Sequence, residues 1–148
     1  MKLSSKSRYA LQAVFDLAYH EPVRSAQIKG ICERQLIPTR FLEQAFQDLK
    51  KAGIVRSKRG PRGGYQLARE AADISLADVV RAIEGPLSLG AGTLDPGASS
   101  QAVLKDVLGE ITEQLEGCLE AVSVADLCER AREMGVARDP VAGYVYAI

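Results

Sequence analysis

Thr39, Arg40, Glu43, Gln44, Gln47 and Lys51 fall within thirteen residues, at spacings that gather them on one side of a helix. On a wheel over residues 36–52, Leu42, Ala45, Phe46 and Leu49 form a narrow apolar stripe. Arg40, Gln44, Gln47 and Lys51 lie opposite, with Glu43 on the shoulder. These side-chain types match the edges of nucleic-acid bases. Arginine pairs with guanine O6 and N7, glutamine with adenine N6 and N7, and glutamate accepts from cytosine N4. A polar outer face is ordinary for any surface helix, so the pattern gains meaning only from its surroundings.

A second group lies just downstream. Residues 56–67, RSKRGPRGGYQL, carry four cations and three glycines in twelve residues. Gly60, Gly63 and Gly64 allow positive φ and close approach of the backbone to another surface. Arg59 and Arg62 suit a narrow groove or a phosphate, and Arg56 and Lys58 suit a sugar–phosphate backbone. The stretch lacks the Lys-Ser/Thr of a phosphate-binding P-loop and opens no helix, which leaves that reading weak.

The elements that must position these groups can be read from caps and periodicity. Ser4 or Ser5 caps a helix through RYALQAVFDLAYH, apolar on most sides and ended by Glu21–Pro22. Ser25 is expected to cap a short second helix, AQIKGICER. Pro38 opens a third, PTRFLEQAFQDLKKAG, and Gly53 stops it. Ile54 to Lys58 and Tyr65 to Leu67 read as strands flanking the basic loop. A short helix, a tight turn, a second helix and a hairpin make the order of a winged helix-turn-helix. Ser75 and Asp78 have capping-box spacing at the head of ISLADVVRAI, and Ser123 and Asp126 repeat it before a last helix to about Met134. Between them lie a Gly-, Pro- and Ser-rich stretch, 84–100, and a helix from Gln101 to about Glu116. The aromatic tail RDPVAGYVYAI is apolar enough to pack on something.

The 148 residues suit one domain or a small domain with an appendage, and 47% hydrophobic content permits a sizeable core. Net charge is zero, but it is divided. Residues 1–70 hold 14 Lys and Arg against 6 Asp and Glu, whereas residues 71–148 hold 5 against 13. The basic half is the half expected to meet a polyanion. No apolar run approaches the roughly 20 residues of a membrane span. The opening MKLSSKSRYALQAVF has no signal-peptide cleavage site, so a cytoplasmic protein without membrane partners is expected. Cys32, Cys118 and Cys128 are odd in number and widely spaced, which argues against a disulfide framework. His20 has no metal-ligand partner at helical spacing. No Ser/His/Asp set, paired catalytic carboxylates or nucleotide fingerprint is visible, and no enzyme is expected.

MKLSSKSRYAL, IPTRFLEQAFQDLKKAGIVRSKRGPRGGYQLARE, ISLADVVRAIEGP and VSVADL closely resemble the Rrf-two family of bacterial transcription regulators. The likeness is strong over 1–86 and looser over 101–134. It implies a mainly α fold with a small two-stranded β wing, a winged helix-turn-helix domain over 1–84, a sensor-type loop over 85–100, and a dimerisation helix and tail over 101–148. It also implies a homodimeric, sequence-specific repressor bound to a pseudo-palindromic duplex operator on the nucleoid. In the family the LEQ helix enters the major groove, landing here on Arg40, Glu43 and Gln44. The wing enters the minor groove, landing on Arg59 and Arg62, with Lys58, Gly63, Gly64 and Tyr65 completing the expected contact set. Leu104, Leu108, Ile111, Leu115 and Cys118 are spaced 4-3-4-3, like a coiled-coil seam, and fit the implied dimer interface.

One departure stands out. Cluster-binding members of the family carry three cysteines in the loop before the dimer helix, and some use an acidic residue or histidine near the start of the first helix. Here the loop is PLSLGAGTLDPGASS, with Asp95 its sole acidic residue, and the early positions hold Arg8 and Gln12. No iron–sulfur cluster, metal or other cofactor is therefore expected. Cys118 and Cys128 remain as candidate redox thiols. Two alternatives stay open: control through a regulatory protein partner, as in a cluster-free branch of the family, and a small-molecule effector bound between the loop, the dimer helix and the wing domain.

Overall fold

In the computed structural model the described residues are 2–90 and 99–138. Helix α1 (Ser5–His20) is the central element, with α2 (Ile28–Gln35), α3 (Thr39–Lys51), α4 (Leu76–Glu84) and α6 (Val124–Glu133) packed around it. Strands β1 (Val55–Lys58) and β2 (Gly64–Leu67) form the hairpin, and α5 (Ser99–Glu120) lies against α4. The architecture is mainly α with one two-stranded antiparallel sheet, as expected. The strands pair Val55 with Leu67, Arg56 with Gln66, Ser57 with Tyr65 and Lys58 with Gly64.

Ser4 caps α1, its hydroxyl accepting from Ser7 N–H at 3.1 Å. The helix buries Ala10, Ala13, Val14 and Leu17, and with them a charge. Asp16 is fully buried and accepts from Arg34 Nη2 at 2.7 Å, Arg34 Nε at 3.0 Å and Gln35 Nε2 at 3.0 Å. These bonds fasten the end of α2 to α1 immediately before the turn into α3. The turn passes through Leu36 at φ 55°, left-handed backbone that costs a leucine about 1–2 kcal/mol.

Ser25 does not cap α2, which begins at Ile28 with Gln27 as an N-cap that makes no side-chain bond. The reason is non-local. Ala26 forms an antiparallel bridge with Tyr65, donating to its carbonyl at 2.8 Å and accepting from its N–H at 2.7 Å. That bridge holds the chain extended where the helix was expected to start. At α3, Pro38 is the N-cap rather than the first helical residue, and Gly53, at φ 71°, follows the end as expected.

Both capping boxes form, Ser75 with Asp78 and Ser123 with Asp126. They lie side by side: Ser75 and Ser123 make an antiparallel bridge, Leu76 N–H donates to Val122 O at 2.9 Å and Val124 N–H to Ile74 O at 2.8 Å. The two helix starts are thereby tied together. Within 101–148, α5 and α6 go separate ways. Arg81 joins α5 to α4 through Glu116 at 3.1 Å and through Glu120. Helix α6 instead returns to α1, placing Val124 in the main core and Cys128 and Ala131 against Tyr19.

Helix α5 runs past Gly117 to Glu120, four residues beyond the expected end. Its apolar positions divide between two tasks. Leu108 and Leu115 are half-buried, and the loop before α5 leans on the Leu108 side through Leu89 N–H to Thr112 Oγ1 at 3.3 Å. Leu104, Ile111 and Cys118 are exposed, as are Val103 and Val107, which the 4-3-4-3 reading omitted. The open apolar arc is thus Val103, Leu104, Val107, Ile111 and Cys118. The predicted seam is rotated from it, because part of that seam packs within the chain. The aromatic tail after Arg138, and Asp95, lie outside the described residues.

Candidate nucleic-acid interface

Helix α3 divides as its wheel requires. Leu42, Ala45, Phe46 and Leu49 are buried, and Thr39, Arg40, Glu43, Gln44, Gln47 and Lys51 are all exposed. Roughly 2 kcal/mol for each fully buried large apolar side chain anchors the inner face. The outer face makes few internal demands: Arg40 sits over its neighbour Phe41 at 4.8 Å, and Phe41 meets Tyr9 at 5.7 Å. Helix α1 is fastened alongside by an ion pair from Lys6 Nζ to Asp48 at 2.5 Å.

The wing is held to this helix at its root. The Tyr65 ring stacks on Phe46, with ring centroids 4.3 Å apart and an interplanar angle of 19°. Lys50 Nζ donates to Ser57 Oγ at 2.8 Å, and with the Gln66 side-chain amide oriented by its hydrogen bonds its oxygen accepts from Arg56 Nε at 2.8 Å and Nη2 at 3.1 Å. At the tip, Gly63 N–H closes a turn onto Gly60 O at 2.8 Å, with Pro61 and Arg62 at its centre. Lys58, Arg59 and Arg62 are exposed, and no ion pair with a carboxylate occupies them among the described residues.

Three of the expected contact residues have internal work. A Cβ on Gly63 would meet Lys58 O at 2.3 Å, and one on Gly64 would meet Ala26 O at 2.4 Å. Both glycines are half-buried, and so is Tyr65, whose ring face is taken by Phe46 and whose backbone holds Ala26. These three build the wing, and the cations near its tip are exposed beside them.

The cysteines are dispersed. Cys32 and Cys128 are buried in separate parts of the core and Cys118 is exposed on α5. Burial pushes the Cys128 thiol above its ordinary value, only partly opposed by Arg132 and Arg138. A raised pKa lowers its thiolate fraction and reactivity. Among the described residues no three of His, Cys, Asp and Glu come together as a metal site.

A helix pair joined by a tight turn, an outward polar helix face and a cationic hairpin together define a winged helix-turn-helix transcription regulator. The chain matches the family profile Rrf2, iron-dependent transcriptional regulator, over residues 3–130. It belongs to the Rrf2 family. Over 84 residues it is 48% identical to the HTH-type transcriptional regulator IscR of Vibrio atlanticus, an alignment that covers 57% of this chain and 49% of that protein, so it spans about half the length of that relative. A protein of Azotobacter vinelandii named "Putative HTH-type transcriptional regulator ORF2" is 37% identical over 133 residues, 88% of this chain and 81% of its own. Among solved structures, IscR of T. potens superposes with a TM-score of 0.76 at 36% identity, covering 99% of this chain and 96% of that one. Among the described residues no helix is long and apolar enough to cross a membrane.

Proposed function

We propose that the chain is a homodimeric, cytoplasmic repressor that binds a pseudo-palindromic duplex operator without an iron–sulfur cluster. Each copy lays α3 in a major groove, which is wide enough to admit a helix. Its wing tip carries Arg59 and Arg62 to the adjacent minor groove and the phosphates that flank it, and Lys58 follows the backbone. The carrying observation is the exposed polar face of α3 joined to a cationic hairpin without internal ion pairs, through Phe46–Tyr65 and Lys50–Ser57. Two copies meet through Val103, Leu104, Val107, Ile111 and Cys118 on α5, apolar side chains that a monomer leaves in water.

Selection from random duplex DNA tests this reading. Enrichment of a two-fold symmetric sequence, bound by two copies, is the expected result. Arg62→Ala should weaken binding about evenly across sequences and flatten the salt dependence, since it removes a phosphate-type contact. Glu43→Ala should instead shift preference at one base pair of each half-site by roughly 1–3 kcal/mol. No enrichment of any sequence would sink the proposal.

The cluster-free state is supported by the loop, which holds no cysteine or histidine between Pro86 and Ser100, and by the dispersal of the three cysteines. Protein purified without oxygen should be colourless and iron-free. Bound iron with visible absorption would overturn that part.

A further inference from the structure

Arg40 is exposed, yet its guanidinium lies 4.8 Å from the centre of the Phe41 ring. Phe41 is half-buried, and its ring meets Tyr9 at 5.7 Å with a 48° tilt. Tyr9 packs in turn against the main core. Three side chains therefore run in contact from the core to the surface that carries Arg40, and the Lys6–Asp48 pair fastens the same edge of α1 to α3 one helical turn away from Tyr9.

We propose that Phe41, backed by Tyr9, is a positioning residue that holds Arg40 in the orientation from which it reads guanine. This rests on Arg40 being a base reader. A guanidinium stacks through its face and donates through its edge. Stacking on Phe41 restricts a long flexible side chain while leaving the in-plane fork of N–H groups available to guanine O6 and N7. Freedom lost beforehand is not lost on binding, so the stack favours the bidentate geometry over looser contacts with other bases.

The test uses full-length protein, the operator selected from random duplex DNA, and single-base-pair variants of that operator, with affinities measured at fixed salt. Phe41→Leu keeps apolar bulk on a half-buried site and removes the ring. It should reduce the preference for guanine at one position of each half-site by about two- to fivefold, the span of an exposed cation–π contact. Preferences elsewhere and the salt slope should not change, and Phe41→Tyr should restore the lost preference. In an Arg40→Ala background Phe41→Leu should have no further effect. If Phe41→Leu does not fold, Phe41→Met takes its place.

An even loss of affinity over all sequences, or an equal loss with Arg40 already removed, would mean that Phe41 acts by packing alone and would overturn the proposal. Arg40→Ala leaving the preferred operator unchanged would refute the role of Arg40 itself. The two failures are therefore distinguishable.

Discussion

Gly64 has no space for a side chain. Its φ of 147° is in the range that favours glycine, and a Cβ there would lie 2.4 Å from Ala26 O and 3.2 Å from Gln27 N. Those atoms belong to the bridge between wing and α2, so they cannot move without breaking it. Gly64→Ala should cost at least about 2 kcal/mol in urea unfolding and loosen the wing. Gly60, at φ 107° with open space around it, tolerates alanine better, because only the backbone conformation resists. Glycine at 64 signals close approach to another surface, and within the chain that surface is the backbone of Ala26. The α3 residues were more legible. Leu42, Ala45, Phe46 and Leu49 lie on a 3.6-residue repeat that sets inside and outside with no tertiary knowledge. Asp16 was not legible at all. It sits among apolar neighbours in α1, and nothing local signals that Arg34 and Gln35 fold onto it.

At the level of elements, local signals succeeded where nothing distant competed. Ser75 and Ser123 each have Asp three residues on, and each makes the expected box. Ser25 is also a favoured cap residue, though Ile28 rather than an acid stands three residues on, and the backbone of Ala26 is taken by Tyr65, whose β-bridge there excludes the first helical turn. Ser25→Ala should therefore leave stability within about 0.5 kcal/mol of the parent, whereas Ser123→Ala should cost about 1 kcal/mol, both read by thermal or urea unfolding. A cost of that size at Ser25 would contradict the observed start of α2. Helix α5 shows another limit of periodicity. Its repeat marks apolar residues without saying which of two neighbours covers them, and Leu108 and Leu115 turn partly toward their own chain while Val103 and Val107 stay open.

Across the whole molecule the acidic and basic halves are interleaved by contacts rather than set apart. Glu84, at the end of α4, accepts from Ser7 Oγ at 2.6 Å and from Ser4 N–H at 2.9 Å. The Ser7 hydroxyl, then Ser4, hold its carboxyl below the ordinary glutamate value. Its ionised form is thus favoured by folding. That stabilisation is complete above the unfolded glutamate pKa and disappears as pH falls through the lower folded value. Asp126, lowered by the Ser123 N–H, acts in the same direction. Glu84→Gln should flatten the acid limb of a stability–pH curve below about pH 5 and leave its shape near neutrality unchanged. An identical acid limb would show that Glu84 is not coupled to folding. The overall order of elements was visible in the sequence, since caps and turns announce it. The return of α6 to α1 was not, because Val124, Cys128 and Ala131 look like any amphipathic stripe until their neighbour Tyr19 is known. That return bears on how such regulators can be recombined. Residues 1–84, lifted out as a cassette and joined to a foreign sensor, would arrive with Tyr19 bare and the place of Val124 empty. A working chimera has to carry α6 along with the reading unit, so the transferable part is a circuit closed by the far end of the chain.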